Sequence, residues 1–449
     1  MVKILWLPLV TAIICLPVFA QTQTHAAAQA LKKREHSLLS LAAVSKDNLA
    51  SLEEVKADST LTLAHALQLA LRANPDLSAS RHEAAAVNAE IDQAGLLPNP
   101  EVSWLMEDTQ RDTRTTTVQF SQPIELGDKR AARISAASRS SDLADATLLA
   151  KQVALRADVT RAFFELLSAQ QQSHLADESL ALAEQVTSIA ARRVAAGKVS
   201  PVEESRAQIA QANIRIEAVR AKSTLLNARK QLAALWGSTA PLFSKVSGQL
   251  ETLPVVPEWN VLKTHLSAAP LMMQARSEVE RRQAIGKVED SRRTPDLSVT
   301  LGVKRDEQMG RNQAVVGVSI PLPLFDRNQG NLLAALRRTD QARDELISTE
   351  IRLDGELAQS YQRFLNAQSE THALKDEILP NAQSAYQAAT KGFTFGKFAF
   401  LDVLDAQRSL LQARTQYLQS LLAAHRAAAD IEELLGQPLD AISQKDPAL

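Results

Sequence analysis

The 449-residue chain is poor in cysteine, glycine and aromatic residues, with one Cys, 14 Gly and 4% aromatics. A lone cysteine excludes an internal disulfide and a cysteine metal site. Neither sign of charge is in excess: 50 Lys and Arg balance 51 Asp and Glu, which excludes a global basic field for nucleic acid. The low glycine content, in a sequence that is 45% hydrophobic, favours long helices over a compact mixed fold.

Long apolar runs are also missing, except at the N-terminus. There an early lysine precedes an apolar run over residues 4–19, the pattern of a secretory signal peptide, so residues 1–20 are predicted to be removed on export. A membrane anchor is the alternative, which Pro8 and Pro17 disfavour. Cys15, the only cysteine, would leave with this segment. No later run approaches the roughly 18 apolar residues of a membrane-spanning helix, so a membrane role would depend on β-strands.

The rest of the chain contains the same landmarks twice. They recur at spacings of 195 to 199 residues: Pro75 with Pro270, Pro100 with Pro295, Asp128 with Asp326, Gly197-Lys198 with Gly396-Lys397, and Gly237 with Gly436. This pattern predicts a duplication. The predicted segments are an N-terminal extension (21–60), a first repeat (61–237), an equatorial linker (238–261), a second repeat (262–436) and a C-terminal tail (437–449).

Each repeat is predicted to contain a helix, two short strands and two long helices. The first helices cover about residues 62–95 and 262–293. Apolar and polar residues then alternate, as expected of strands, over residues 101–108, 115–121, 296–303 and 314–320. Polar linkers join each pair of strands, which indicates two exposed hairpins.

The long helices follow the hairpins. Residues 126–195 contain no proline and residues 331–391 contain only Pro380; about 70 helical residues would extend roughly 100 Å. Apolar residues form heptad-like stripes, for example Leu353, Leu357 and Phe364, or Ile209, Ile216 and Leu226. Such stripes alone are typical of a coiled-coil rod. Because a hairpin is unstable alone in water, the two hairpins instead favour closure with those of other chains into a barrel.

Five phrases carry a resemblance to a known family: LTLAHALQLALRANPDL, GLLPNPEVSW, FSQPIELGDKRAAR, SIPLPLFDRNQGN and FGKFAFLDVLDAQRSLLQAR. Over about residues 60–437 the chain resembles the outer membrane efflux (TolC-like) factors, and within them the heavy-metal, CzcC-type branch. The resemblance implies a mainly α fold with a small β part. Three chains would form a twelve-stranded transmembrane β-barrel in outer membrane lipid above a long α-helical coiled-coil barrel in the periplasm.

The resemblance also implies partners and a function. The homotrimer would be the passive exit duct of a three-component system, with a periplasmic adaptor (membrane fusion) protein and an inner membrane pump of the resistance-nodulation-division type. Heavy-metal cations are the expected cargo. A duct for drugs, organic compounds or secreted proteins is an alternative, and a soluble periplasmic coiled-coil scaffold is an alternative of a different class.

The resemblance places two Gly-Lys turns, Gly197-Lys198 and Gly396-Lys397, at the periplasmic tip, where they would contact the adaptor. Glycine can take the positive φ that ends a helix tightly. Asp402 and Asp405 would form two acidic rings at the tunnel entrance, which favour cations. The alternative is that Asp402 only caps its helix.

The resemblance also implies two further tip residues, which are expected to contact the adaptor as well. Some relatives close the tip with a Tyr and an Arg, and the matching positions here are Phe393 and Phe398. Apolar contact between these phenylalanines is the expected substitute for the polar lock. Glu203 and Glu204 place two more carboxylates at the equivalent position of the first repeat, just after the Gly197-Lys198 turn.

Signs of catalysis and of a resident cofactor are lacking. The eight histidines include no pair at i, i+4 and no HExxH, so no metal site is predicted. GFTFGK (392–397) resembles a phosphate loop only in passing, because a Phe stands in place of the Ser or Thr. The sequence predicts a protein that is not an enzyme and has no cofactor.

Overall fold

The structure is a computed structural model, which describes residues 60–445 and the side chains of residues 60–442. The predicted signal peptide and residues 21–59 of the extension lie outside the described residues. Thr60–Pro241 and the chain from Lys245 onward belong to one compact unit, to which the following description applies.

Helices dominate the first half of this unit. Its elements are β1 (Thr60–Thr62), α1 (Leu63–Ala73), α2 (Pro75–Ala94), β2 (Glu101–Glu107), β3 (Thr115–Ile124), α3 (Lys129–Ala195) and α4 (Pro201–Ala234). With 67 residues, α3 is about 100 Å long, as the proline-free stretch predicts.

The second half has a similar order of elements. They are β4 (Lys245–Ser247), α5 (Trp259–Leu266), α6 (Pro270–Ser291), β5 (Leu297–Asp306), β6 (Arg311–Ser319), α7 (Gln329–Ala373), α8 (Leu379–Thr394), α9 (Phe400–Leu435) and α10 (Leu439–Lys445). A single π-helical turn, Leu374–Ile378, joins α7 to α8. The short strands β1 and β4 pair in parallel.

Proline divides the two helices that the sequence predicts as continuous. Asn74 has ψ 124°, in the extended region, because the ring of Pro75 disfavours helical backbone in the residue before it. The Asn74 side chain accepts a hydrogen bond from the Leu77 backbone N–H at 2.7 Å and so starts α2. Ala269, with ψ 143°, precedes Pro270 in the same way and separates α5 from α6.

Four strands form one antiparallel sheet in the order β2-β3-β5-β6. The register puts apolar side chains on one face, in the rows Val102, Phe120, Leu301, Val316 and Trp104, Val118, Val303, Ala314. The opposite face carries the rows Ser103, Gln119, Gly302, Val315 and Leu105, Thr117, Lys304, Gln313. The first face is exposed in the single chain; Val102 and Val316 are both 74% exposed.

Hydrophobic cores form between the described helices. One of them joins α5, α6, α7, α9 and α10 through residues such as Leu262, Met272, Leu357, Phe364 and Ile431. A smaller one, at the far ends of the long helices, contains Val186, Ala207, Tyr386, Phe393 and Phe400. The predicted stripe on α7 is therefore buried, whereas the predicted stripe on α4 is exposed in the single chain at Ile209, Ile216, Val219 and Leu226.

Candidate functional site at the helical tip

The two Gly-Lys turns adopt the same C-terminal cap. Gly197 ends α3 with φ 68° and Gly396 ends α8 with φ 74°, the positive φ expected from the sequence. In the first turn the N–H of Gly197 donates to the Val194 carbonyl and that of Lys198 to the Arg193 carbonyl, each at 2.9 Å. This pair of bonds is the Schellman motif, which favours glycine at the left-handed position.

The second turn repeats those bonds. The N–H of Gly396 donates to the Phe393 carbonyl at 2.9 Å, and the N–H of Lys397 to the Gly392 carbonyl at 2.8 Å. Lys198 and Lys397 are both exposed. Two cationic side chains therefore stand at equivalent positions of two adjacent turns.

Asp402 and Asp405 lie in the first turns of α9 and are both exposed. One carboxylate oxygen of Asp402 accepts a hydrogen bond from the Ala399 backbone N–H at 2.9 Å, and the Asp402 N–H donates to the Ala399 carbonyl at 3.2 Å. Asp402 thus caps the helix, as its alternative interpretation predicts. Asp405 takes part in no ion pair with the described side chains of residues 60–442, and its side chain is exposed.

The first repeat supplies acidic residues at the matching corner. Ser200 caps α4 by accepting from the Val202 N–H at 3.3 Å, and Pro201 follows at the first helical position. Glu203 and Glu204 lie in the first turn, where negative charge complements the positive end of the helix dipole. Both hairpins therefore carry carboxylates at the start of the returning helix.

Phe393 and Phe398 have different surroundings. The Phe393 ring is 5% exposed and pairs with the ring of Phe400 at a centroid distance of 5.6 Å. Phe398 is 50% exposed and its ring covers Gly392 so closely that it leaves no room there for a Cβ atom. Among the described residues, the ring packed on Phe393 is thus that of Phe400, and Phe398 is the exposed member of the predicted pair.

Arg193 joins the two turns, although no sequence motif marks it as a tip residue. Its guanidinium donates to the Phe393 carbonyl at 3.0 Å and lies 4.4 Å from the Phe393 ring centroid. The available signal is local: a basic residue in the last turn of a helix often binds exposed carbonyl groups. This local pattern does not predict that the carbonyl belongs to the other hairpin.

Among residues 60–445, no group of three or more His, Cys, Asp or Glu side chains is arranged to hold a metal ion. No helix in the same range is both long enough and apolar enough to cross a membrane.

These features define a class of protein: paired long helical hairpins that end in capped turns at one end and in a small antiparallel sheet at the other. The chain belongs to the outer membrane efflux protein family, whose profile matches residues 66–238 and again residues 261–437. It is 46% identical, over 382 residues, to the cobalt-zinc-cadmium resistance protein CzcC of Cupriavidus metallidurans; the match covers 85% of this chain and 91% of that protein.

Solved structures agree with the fold. A crystal structure of CusC matches with a TM-score of 0.71 at 19% identity, over 86% of this chain and 96% of that chain. The open state of the Neisseria gonorrhoeae MtrE outer membrane channel matches with a TM-score of 0.72 at 19% identity, over 87% of this chain and 94% of that chain.

Proposed function

We propose that the chain is the outer membrane exit duct of a three-component efflux system for heavy-metal cations. The observation that carries this proposal is the 46% identity to a cobalt-zinc-cadmium resistance protein over nearly the whole of both chains. In this proposal the duct is passive and is not an enzyme. A periplasmic adaptor and an inner membrane pump of the resistance-nodulation-division type supply the selection and the energy.

The sheet supports a location in the outer membrane. One face carries valines, leucines and aromatic residues, while the other carries mainly Ser, Thr, Gln and Lys side chains. A barrel wall needs this alternation, with the apolar face towards lipid and the polar face towards an aqueous channel. Strands β2 and β6 are at the edges of the sheet, so their outer backbone groups need partners. Three chains, each with four strands, would satisfy these edges in a twelve-stranded barrel.

An exposed apolar face on the helices also supports an assembly of several chains in a ring. The exposed apolar stripe on α4 repeats at about seven residues, the spacing of a coiled-coil contact, and is left without cover in the single chain. A neighbouring copy would bury it. The two separate matches to the family profile, residues 66–238 and 261–437, support the proposed duplication and its two repeats on either side of the linker at residues 238–261.

The tip is the proposed entrance of the duct. In a ring of three chains, Asp402 and Asp405 would place six carboxylates around the opening, and such rings attract cations. Because Asp402 also caps α9, its removal affects the helix as well as the charge. Lys198, Lys397 and Phe398 are exposed beside the opening and are the proposed contacts of the adaptor.

Growth of a deletion strain on metals tests the cargo. Loss of the gene should lower tolerance of cobalt, zinc or cadmium, and the wild-type gene should restore it. Unchanged tolerance of all three, with lowered tolerance of organic compounds, would instead assign the duct to organic efflux.

The acidic entrance needs a separate test. Asp405→Asn removes a charge without removing the α9 cap and should reduce cation preference in single-channel recordings. Asp344→Asn, at an exposed position of α7 away from the tip, is the matched control. Equal ion preference in both variants would leave Asp405 with no role in selectivity.

A further inference from the structure

Two exposed apolar loops lie at the same end of the sheet but on opposite edges. The register aligns Glu101, the first residue of β2, with Ser121, Thr300 and Gly317, and it aligns Ser298 with Ser319, the last residue of β6. The segment before β2 and the segment after β6 therefore leave the sheet at one end. Within one chain they are separated by three strand spacings, about 14 Å.

The loop after β6 exposes large apolar side chains. It contains Leu322, Leu324 and Phe325, of which Phe325 is 92% exposed. Arg327 fixes its course by donating from Nε to the Pro323 carbonyl at 3.2 Å. Beside it lies an open cavity of about 600 Å³, whose apolar walls are Leu324, Phe325, Leu332, Leu333 and Leu336.

The loop before β2 is a second apolar projection. Leu96 and Leu97 are 57% and 64% exposed, although the backbone around them is held in place. Arg130 donates to the Gly95 carbonyl at 2.6 Å and Arg133 to the Leu96 carbonyl at 3.2 Å. The preceding helix, α2, exposes small residues such as Ala85 and Ala89 below this loop.

We propose that these loops form an apolar seam between copies of the chain, in which Leu96 and Leu97 of one copy fill the cavity beside Phe325 of the next. The occupant is a second copy because the seam continues an edge that already needs one. All four strands alternate in direction, so β6 of one copy can pair antiparallel with β2 of the next, which brings the two loops together.

Helix packing extends the seam beyond the loops. α7 descends from the β6 side with exposed Leu333, Leu336, Ile347 and Ile351, whereas α2 rises to the β2 side with exposed alanines. Large side chains opposite small ones allow two helices to pack closely. The contact is heterologous, since different surfaces of the two copies meet, and such contacts generate closed rings. This inference rests on the ring of chains in the proposed function.

Disulfide trapping tests the seam. Leu97→Cys and Phe325→Cys are introduced together, and outer membranes are oxidised and analysed on a non-reducing gel. Within one chain the two loops continue from strands about 14 Å apart, twice the roughly 7 Å that a disulfide can span, and a link between chains is in any case distinguished by its mass on the gel. We expect covalent dimers and trimers, which disappear on reduction. The pair Leu336→Cys with Ala89→Cys tests the helical part independently, in case the first pair fails to fold.

Matched controls decide between the seam and its alternatives. Each single cysteine variant should remain unlinked; dimers of Phe325→Cys alone would show a face-to-face contact and overturn the proposal. Leu97→Cys with Leu126→Cys, exposed at the same sheet end beside β3, should give no link between chains. If this control pair gives covalent dimers and trimers in equal amount, the cysteines link by random collision between chains, and the proposal is likewise overturned.

The mass of the unmodified protein in detergent separates the seam from the proposed function. If that protein is a single chain, the ring itself is wrong, and the seam with it. If it is an oligomer but neither cysteine pair links, the seam alone is wrong. A lipid-soluble maleimide gives one more outcome. If it labels the Phe325→Cys variant, and the double variant forms no link to position 97, the loop lies in lipid and the seam is overturned.

Discussion

Arg193 and Phe393 join the ends of two different helices. The guanidinium of Arg193, in the last turn of α3, lies 4.4 Å from the ring centroid of Phe393 and donates to its carbonyl oxygen at 3.0 Å. Phe393 is at the end of α8 and packs on Phe400 of α9. One side chain therefore holds the tip of the first helical hairpin against the tip of the second.

Replacing Arg193 should loosen this connection. Arg193→Ala removes a charge-assisted hydrogen bond and a cation–π contact, with an expected loss of about 1–2 kcal/mol at the tip. Hydrogen exchange of residues 390–400 should become faster, while exchange in the core around Phe364 stays unchanged. The measurement is hydrogen–deuterium exchange of the purified protein followed by mass spectrometry.

Arg192 provides the matched control. It is exposed, and its described hydrogen bond is to the Ser188 carbonyl of its own helix. Arg192→Ala should therefore leave exchange at residues 390–400 as in the wild type. Equal acceleration in both variants would mean that the loss of positive charge, rather than the contact with Phe393, governs the tip.

A charge network between α3 and α9 should contribute more to stability than any surface ion pair. Arg161 donates to Asp158 at 2.7 Å and to Asp430 and Glu433 at 2.8 Å each. Burial disfavours its charge, but the hydrogen bonds to Asp158 and Glu433 outweigh that cost and raise the pKa of Arg161. Arg161→Met removes the cation shared by the three carboxylates; Asp430 keeps Arg363 at 3.4 Å, but the half-buried Glu433 loses its Arg161 partner, which should cost about 1–3 kcal/mol and lower the thermal unfolding midpoint.

The exposed pair Arg220–Glu217 is the control for this network. Its two atoms are 2.8 Å apart, yet both side chains are well exposed. Exposed pairs of this kind contribute up to about 1 kcal/mol and often nothing measurable, so Arg220→Met should barely change the midpoint. A larger loss from Arg220→Met than from Arg161→Met would contradict this ranking.

Glu432 should make the attachment of α10 depend on pH. Its side chain accepts a hydrogen bond from the Leu439 N–H at 2.9 Å, and burial raises the pKa of the Glu432 carboxyl above its usual value of 4.5. A carboxyl with a raised pKa binds its proton more tightly in the folded state. Its contribution to stability is therefore present at low pH and is lost as the pH rises through the raised pKa.

Glu432→Gln should remove this dependence, because the amide keeps an oxygen for Leu439 and cannot ionise. Relative to the wild type, the variant should gain in thermal midpoint as the pH of the measurement is raised from the usual carboxyl value of 4.5 towards neutrality. Asp344→Asn, at an exposed position of α7, serves as the control, because Asp344 is not among the groups that shift the Glu432 pKa. A constant difference between Glu432→Gln and the wild type across this range would contradict the prediction.

The π-helical turn should tolerate the loss of one residue. The spacing between corresponding landmarks is 198 residues at Asp128 and Asp326 but 199 at Gly197 and Gly396, so the later segment has one residue more. A π-turn holds one residue more than an α-turn, and Leu374–Ile378 is such a turn. Deletion of exposed Asp376 should convert it to α-helix and leave the residues on either side in register.

Deletion of Asp344, exposed within the regular part of α7, should have the opposite effect. It would rotate the following residues by about 100° and turn Leu353, Leu357 and Phe364 away from the core. The amount of folded protein in the membrane fraction is the readout. Equal loss from the two deletions would contradict the view that the π-turn absorbs an inserted residue.

The strands and long helices of this fold are predictable because their signals are local. Alternation of side chains predicts the strands, although β3 continues to Ile124, beyond the predicted residue 121, and includes Pro123 at its end. The breaks before Pro75 and Pro270 follow from the steric effect of proline on the preceding residue, which hydrophobic periodicity does not register.

The contacts of the tip are less predictable. The positive φ of Gly197 and Gly396 follows from a helix-ending Gly-Lys sequence. Arg193 and Phe393, in contrast, are 200 residues apart, and no local pattern pairs them. The burial of Phe393 beside Phe400 likewise depends on how two hairpins pack, which neither hairpin specifies alone.

The central claim is that several copies of the chain pool their strands to form the wall of a duct. Its most direct test is the location and mass of the mature protein. The account predicts recovery in the outer membrane fraction and, in mild detergent, a mass of three chains, each below the 48.9 kDa of the full sequence. Recovery as a single chain in a detergent-free periplasmic wash would contradict it.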